Sequence, residues 1–115
     1  MRTETWTDGK LREQWNDLTR TYTSWDADGE IVVVRAYTAE ENSAADARAA
    51  AANAQAATAA DLTSKMQNAL TNNLAYLNIA SPNAAQSQAQ IKALTRQMNA
   101  AIRYITGALD STDGT

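Results

Sequence analysis

Residues 37–60 read YTAEENSAADARAAAANAQAATAA, a stretch in which alanine holds most positions and no large apolar side chain follows Tyr37. Alanine has the highest intrinsic helix propensity, and neither Pro nor Gly interrupts the chain from Thr38 to Asn78. The stretch therefore predicts a helical rod with little of its own to bury. Its start is marked by Thr38 with Glu41 three residues later, the spacing of a capping box, and by Glu40 and Glu41 at the positive end of the helix dipole. The switch from strand to helix falls at Thr38. The helix is expected over about 39–78, with a candidate break near 58–61, where Thr58-Ala59-Ala60-Asp61 resembles a second helix start.

Upstream, Thr, Val, Ile, Trp and Tyr dominate and the glycines stand where hairpin turns need them. One hairpin is expected to join Thr3–Thr7 to Lys10–Asn16 across Asp8-Gly9, with Leu11 and Trp15 on one face opposite Trp6. A second joins TRTYTSW to EIVVVRAY across Asp26-Ala27-Asp28-Gly29. In its last strand Ile31 and Val33 face one side and Val32 and Val34 the other, so both faces are apolar and both call for cover.

Downstream the apolar residues become large. Leu62, Met66, Leu70, Leu74 and Leu77 recur at helical spacing, and after Ser81-Pro82 the residues Ile91, Leu94, Met98, Ile102 and Ile105 do the same. Ser81 suits an N-cap and Pro82 a first helical position, which places a second helix over about 82–108 and a polar tail after it. The two stripes are expected to face each other as the core of an antiparallel hairpin, with Leu62, Met66, Leu70, Leu77, Ile91, Leu94, Met98, Ile102 and Ile105 inside. The fold class is α+β: a small antiparallel β-meander of hairpins over residues 1–37 serving as an attachment region, then a helical region over residues 38–115.

Composition narrows the function. The 115-residue chain carries a net charge of −3 and no His, Cys or Phe, with a sequence pI near 4.8. There is no basic footprint for nucleic acid. Without His or Cys the commonest general base, metal ligand and strong nucleophile are missing, so neither catalysis, a cofactor nor a metal is expected. Asp26-Ala27-Asp28-Gly29 opens like a calcium loop but lacks the later ligands, and a hairpin turn is the better reading. Lys92, Arg96 and Arg103 read as a solvated face, and Trp6, Trp15 and Trp25 as sheet core in preference to a sugar platform. With no apolar leader and no apolar run of membrane-spanning length, a soluble chain without membrane insertion is expected.

The alanine-rich rod reads either as an exposed spacer or as a helix that other chains approach closely. Isolated helices are marginal in water, which favours association, with Ala45, Ala49, Ala52 and Ala56 as candidate contacts beside Ile31, Val32, Val33 and Val34.

Two passages carry a resemblance. TYTSWDADGEIVVVRAYTAEEN, with its YTAEE junction from strand to helix, and the segment from Asn72 to Thr115, with NN-x-x-x-L-x-I-x-SP followed by QIKALTRQ and a polar DSTDGT end, resemble small tail-associated structural proteins of tailed bacteriophages. These are commonly encoded near tail-fibre or minor-tail-protein genes. The resemblance spans roughly two thirds of the chain and implies a virion tail protein, made in the host cytoplasm, at a tail tip, baseplate or fibre adaptor. The implied partners are copies of itself, preferably a homotrimer, and other tail proteins. A glycan-binding module and a non-virion fibre-assembly factor are the alternatives.

Overall fold

The computed structural model describes residues 1–115 as an α+β chain of four antiparallel strands followed by two helices. Strands β1 (Arg2–Thr7), β2 (Lys10–Asn16), β3 (Thr21–Trp25) and β4 (Ile31–Ala36) lie side by side in chain order, leaving β1 and β4 as edges. Helix α1 (Ala39–Leu77) is unbroken through residues 58–61, and α2 is Ala84–Thr106. No helix is long and apolar enough to cross a membrane. Two compact units result, Met1–Ala50 and Ala51–Thr115. The division falls inside α1, later than the change of secondary structure at residue 38, because the first turns of the helix bond to the sheet.

In the first unit turn chemistry sets the strand register. Asp8 and Gly9 take positive φ of 52° and 71°, the backbone a primed two-residue hairpin requires. A bulge between Thr5 and Trp6 leaves Arg12 without an opposite number and sets Trp6 against Leu11. The Asn16 side chain accepts from the amides of Leu18 and Thr19 at the β2–β3 turn. At the next turn the Asp26 carboxylate accepts from Asp28 N and Glu30 N at 2.9 and 3.0 Å; those backbone donors, Glu30 first, hold its pKa below the usual value.

One row crosses the whole sheet: Thr3 faces Trp15, Trp15 faces Tyr22, and Tyr22 faces Arg35. The Trp15 and Tyr22 ring centroids are 5.1 Å apart, and the Arg35 guanidinium stands 4.4 Å over the Tyr22 ring. Tyr37 and Ala45 are the buried apolar residues of this unit, 7% and 1% exposed.

The second unit is an antiparallel hairpin, but its contact face is not the apolar stripe. Asn73 donates to Gln97 Oε1 and accepts from Gln90 Nε2, both at 2.8 Å, and the Tyr76 and Ser87 hydroxyls are 3.2 Å apart. Leu62, Ala69 and Ala100 are buried on that face. Leu70, Leu74, Leu77, Ile91, Leu94, Met98, Ile102 and Ile105 are 48–82% exposed. The expected core is thus corrected: Leu62 is buried and Met66 half-buried, whereas Leu70, Leu77, Ile91, Leu94, Met98, Ile102 and Ile105 lie outside. On each helix the true contact line passes about one residue earlier, a rotation of roughly 100° in a 3.6-residue helix.

The cap of α2 is also corrected. Asn83, not Ser81, is the N-cap, because its carboxamide accepts from Gln86 N at 2.8 Å while Gln86 Oε1 accepts from Asn83 N at 2.9 Å, a reciprocal pair Ser81 does not make. Gly107 closes the helix in the left-handed conformation at φ 72°. Beyond it the polar tail folds back onto the helices. Arg103 Nε donates to Asp113 O, Asn99 Nδ2 to Gly114 O and Lys65 Nζ to the Thr115 hydroxyl.

Candidate functional site

The strand-to-helix junction gathers several polar contacts around Glu41. Thr38 Oγ1 accepts from Glu41 N at 3.2 Å and Glu41 Oε2 accepts from Thr38 N at 2.8 Å, a closed capping box. The same Glu41 carboxylate takes two bonds from Arg35, at 2.6 and 2.9 Å, and one from Trp15 Nε1 at 3.2 Å. Every acceptor position is occupied by a group that the sheet or helix holds in place. Arg35 foremost, with the Thr38 amide behind it, holds the Glu41 carboxyl down from 4.5 to about 2.

A second junction lies on the next turns of α1. Arg48 donates to both oxygens of Asp17 at 2.9 and 2.7 Å, and the buried Tyr37 donates its hydroxyl to Asp17 Oδ1 at 2.9 Å. Those bonds, Arg48's above all, hold Asp17 down from 3.8 to about 2, against the opposing effect of burial. Burial and the Asp17 carboxylate together raise Tyr37. Arg20 completes the set with a 2.6 Å bond to Asp46.

Each of these groups is ion-paired or hydrogen-bonded into the fold. Together they join the first turns of α1 to the sheet. Because both carboxyls are depressed in the folded chain, the unfolded chain binds more protons at acidic pH. Their contribution is complete above about pH 5 and is lost as pH falls toward 2. Denaturant midpoints measured from pH 7 to pH 2 are expected to fall below about pH 5, and Asp17→Asn is expected to flatten that slope; an unaltered slope in the variant would remove the Asp17–Arg48 pair from the account.

What the fold leaves open is apolar surface. On β4, Ile31, Val32 and Val34 are 60–63% exposed and Val33 is 39% exposed, so the cover expected on both faces of this strand is not supplied by the chain itself. Among the alanines singled out as contacts, Ala49, Ala52 and Ala56 are exposed, whereas Ala45 is buried. Ala45 lies one helical turn from Glu41 and nearly one from Arg48, on the face bonded to the sheet, and is not available to another chain. Of the tryptophans, Trp6 is exposed and Trp15 and Trp25 are half-buried. Trp15 donates its indole N–H to Glu41. The cleft between α1 and α2 is shallow, with a volume of about 260 Å³, and Lys65, Asn72, Arg96 and Thr115 are among the residues lining it.

Neither the Asp17–Arg48–Tyr37 cluster nor the Asn73–Gln90–Gln97 network was anticipated from the sequence. The first joins residues far apart in the chain. The second carried a faint signal, since Gln90 and Gln97 are two helical turns apart on one face.

Comparison of the chain with protein-family models, curated proteins and solved structures finds no match.

Proposed function

We propose that this chain is a structural component of a bacteriophage tail, at the tip, the baseplate or a fibre adaptor, and that it acts through protein–protein contacts with copies of itself and with other tail proteins. The observation that carries the reading is the exposed edge strand Ile31–Ala36, apolar on both faces and attached through Arg35 to a rigid helix start. An uncovered edge of this kind is a ready template for pairing with another chain. The sheet is the attachment element, the helices are the assembly element, and three-fold symmetry is the preferred arrangement, in keeping with the tail-protein resemblance.

Because Val32 and Val34 are exposed, Val32→Lys with Val34→Lys should change the stability of the isolated chain by about 0.5 kcal/mol or less per site while abolishing its incorporation into tails. Mass spectrometry of purified phage particles tests the reading as a whole. The chain is expected in mature tails at a fixed ratio to the other tail proteins. Its presence in infected cells but not in particles would assign it to assembly, and incorporation of the double variant at normal level would remove β4 from the contact.

A further inference from the structure

We infer that the uncharged side of the α1–α2 hairpin is a self-association surface, buried against the same side of further copies of this chain. The inference deepens the oligomeric part of the proposed function and rests on that reading for its self-assembly, though not for its place in a virion.

The geometry puts both stripes on one side. Each helix meets the other along a line that includes Ala69 and Asn73 on α1 and Gln90, Gln97 and Ala100 on α2. Leu70 and Leu74 follow Ala69 and Asn73 by one residue; Ile91 and Met98 follow Gln90 and Gln97. One residue is a turn of about 100° in a right-handed helix, and in an antiparallel pair that turn carries both helices' residues to the same flank. Eight exposed Leu, Ile and Met side chains therefore form one apolar face.

The opposite flank is polar. Within residues 70–77 and 91–105 the charged residues are Lys92, Arg96 and Arg103. Arg96 lines the cleft with Thr115, and Arg103 holds the folded-back tail. No charge on the apolar face opposes the approach of a second, identical face.

A hairpin whose stability depended on its own two helices alone would turn these leucines and isoleucines inward. Here, beyond Leu62, the contact between the helices is made by alanines and an Asn–Gln network, and eight large apolar residues are left for another surface. Area supports that assignment. The chain exposes 7934 Å², against about 6,100 Å² for a compact monomer of its 12.4 kDa. Eight such side chains, at about 60–120 Å² each, supply roughly 500–900 Å² of apolar surface, the scale of the roughly 800 Å² per partner in a stable interface. Identical faces satisfy one another about a symmetry axis, and hairpins packed in this way form a helical bundle.

Sedimentation of the full chain tests the inference, together with the pairs Leu94→Glu/Ile102→Glu and Leu94→Ala/Ile102→Ala and the polar-side control Lys92→Glu. The wild type and the control should sediment as two or more copies, and both face pairs at the single-chain mass. The alanine pair guards against misfolding, since alanine is the best helix former and both positions are exposed in the single chain. As a second readout, Met98→Cys provides the only thiol in the protein, and its reaction with a maleimide should be slow in concentrated protein and fast on dilution. A wild-type chain at single-chain mass throughout would overturn self-association altogether. A multimer that survives both pairs, or a Met98→Cys thiol equally reactive at all concentrations, would overturn this face while leaving an oligomer intact. A single chain that instead binds phosphatidylcholine vesicles through Leu94 and Ile102 would give the face to a lipid surface and overturn the inference.

Discussion

Leu62→Ala is expected to lower the stability of the helical unit by about 2–5 kcal/mol. Leu62 is the largest fully buried side chain of the chain, at 0% exposure, and lies on the α1 face that meets α2. The other buried residues of that unit, Ala69 and Ala100, are small, so Leu62 supplies most of the fully buried apolar volume there. A loss of this size is a large share of the 5–15 kcal/mol that holds a typical domain together. Leu70→Ala, at a position 72% exposed, is expected to cost the isolated chain much less. Chemical denaturation followed by circular dichroism distinguishes the two, and equal losses would mean that the contact line between α1 and α2 is misplaced.

Tyr37→Ala is the second large effect, about 3–5 kcal/mol by analogy with other buried aromatic residues. The ring is 7% exposed at the point where the sheet ends and α1 begins. It packs the sheet unit and also bonds Asp17, which Arg48 holds from the helix. Tyr37→Phe separates the two roles. It keeps the ring and removes one hydrogen bond to a charged carboxylate, for an expected cost of about 1.5–3 kcal/mol. Should Tyr37→Phe cost as much as Tyr37→Ala, the hydroxyl and not the packing would be the chief contribution of this residue.

The local elements of the fold were legible because local chemistry decides them. Asp8-Gly9 and Asp26 to Gly29 mark the turns, Thr38 and Glu41 mark the helix start, and the run free of Pro and Gly gives α1 its length. The cap of α2 is less legible: Ser81-Pro82 offers a cap and a first-turn proline, yet Asn83 with Gln86 makes two reciprocal bonds where Ser81 makes none. The direction of the apolar stripes was not legible at all. Periodicity reports that Leu70, Leu74 and Leu77 share a face, and equally that Ile91, Leu94 and Met98 do, but it does not say what that face meets. An amide network and two alanines, weak signals in a sequence, turned both stripes outward. The exposed strand β4 poses the same difficulty, since a strand apolar on both faces reads as covered whether the cover belongs to the chain or to a neighbour.

In the proposed assembly this chain completes its apolar burial with copies of itself. Sedimentation equilibrium of the intact wild-type protein across a wide concentration range tests it most directly. The expected result is a mass that is a multiple of 12.4 kDa, with three copies the multiple the tail reading favours. A folded chain that remains at 12.4 kDa at every concentration would contradict it.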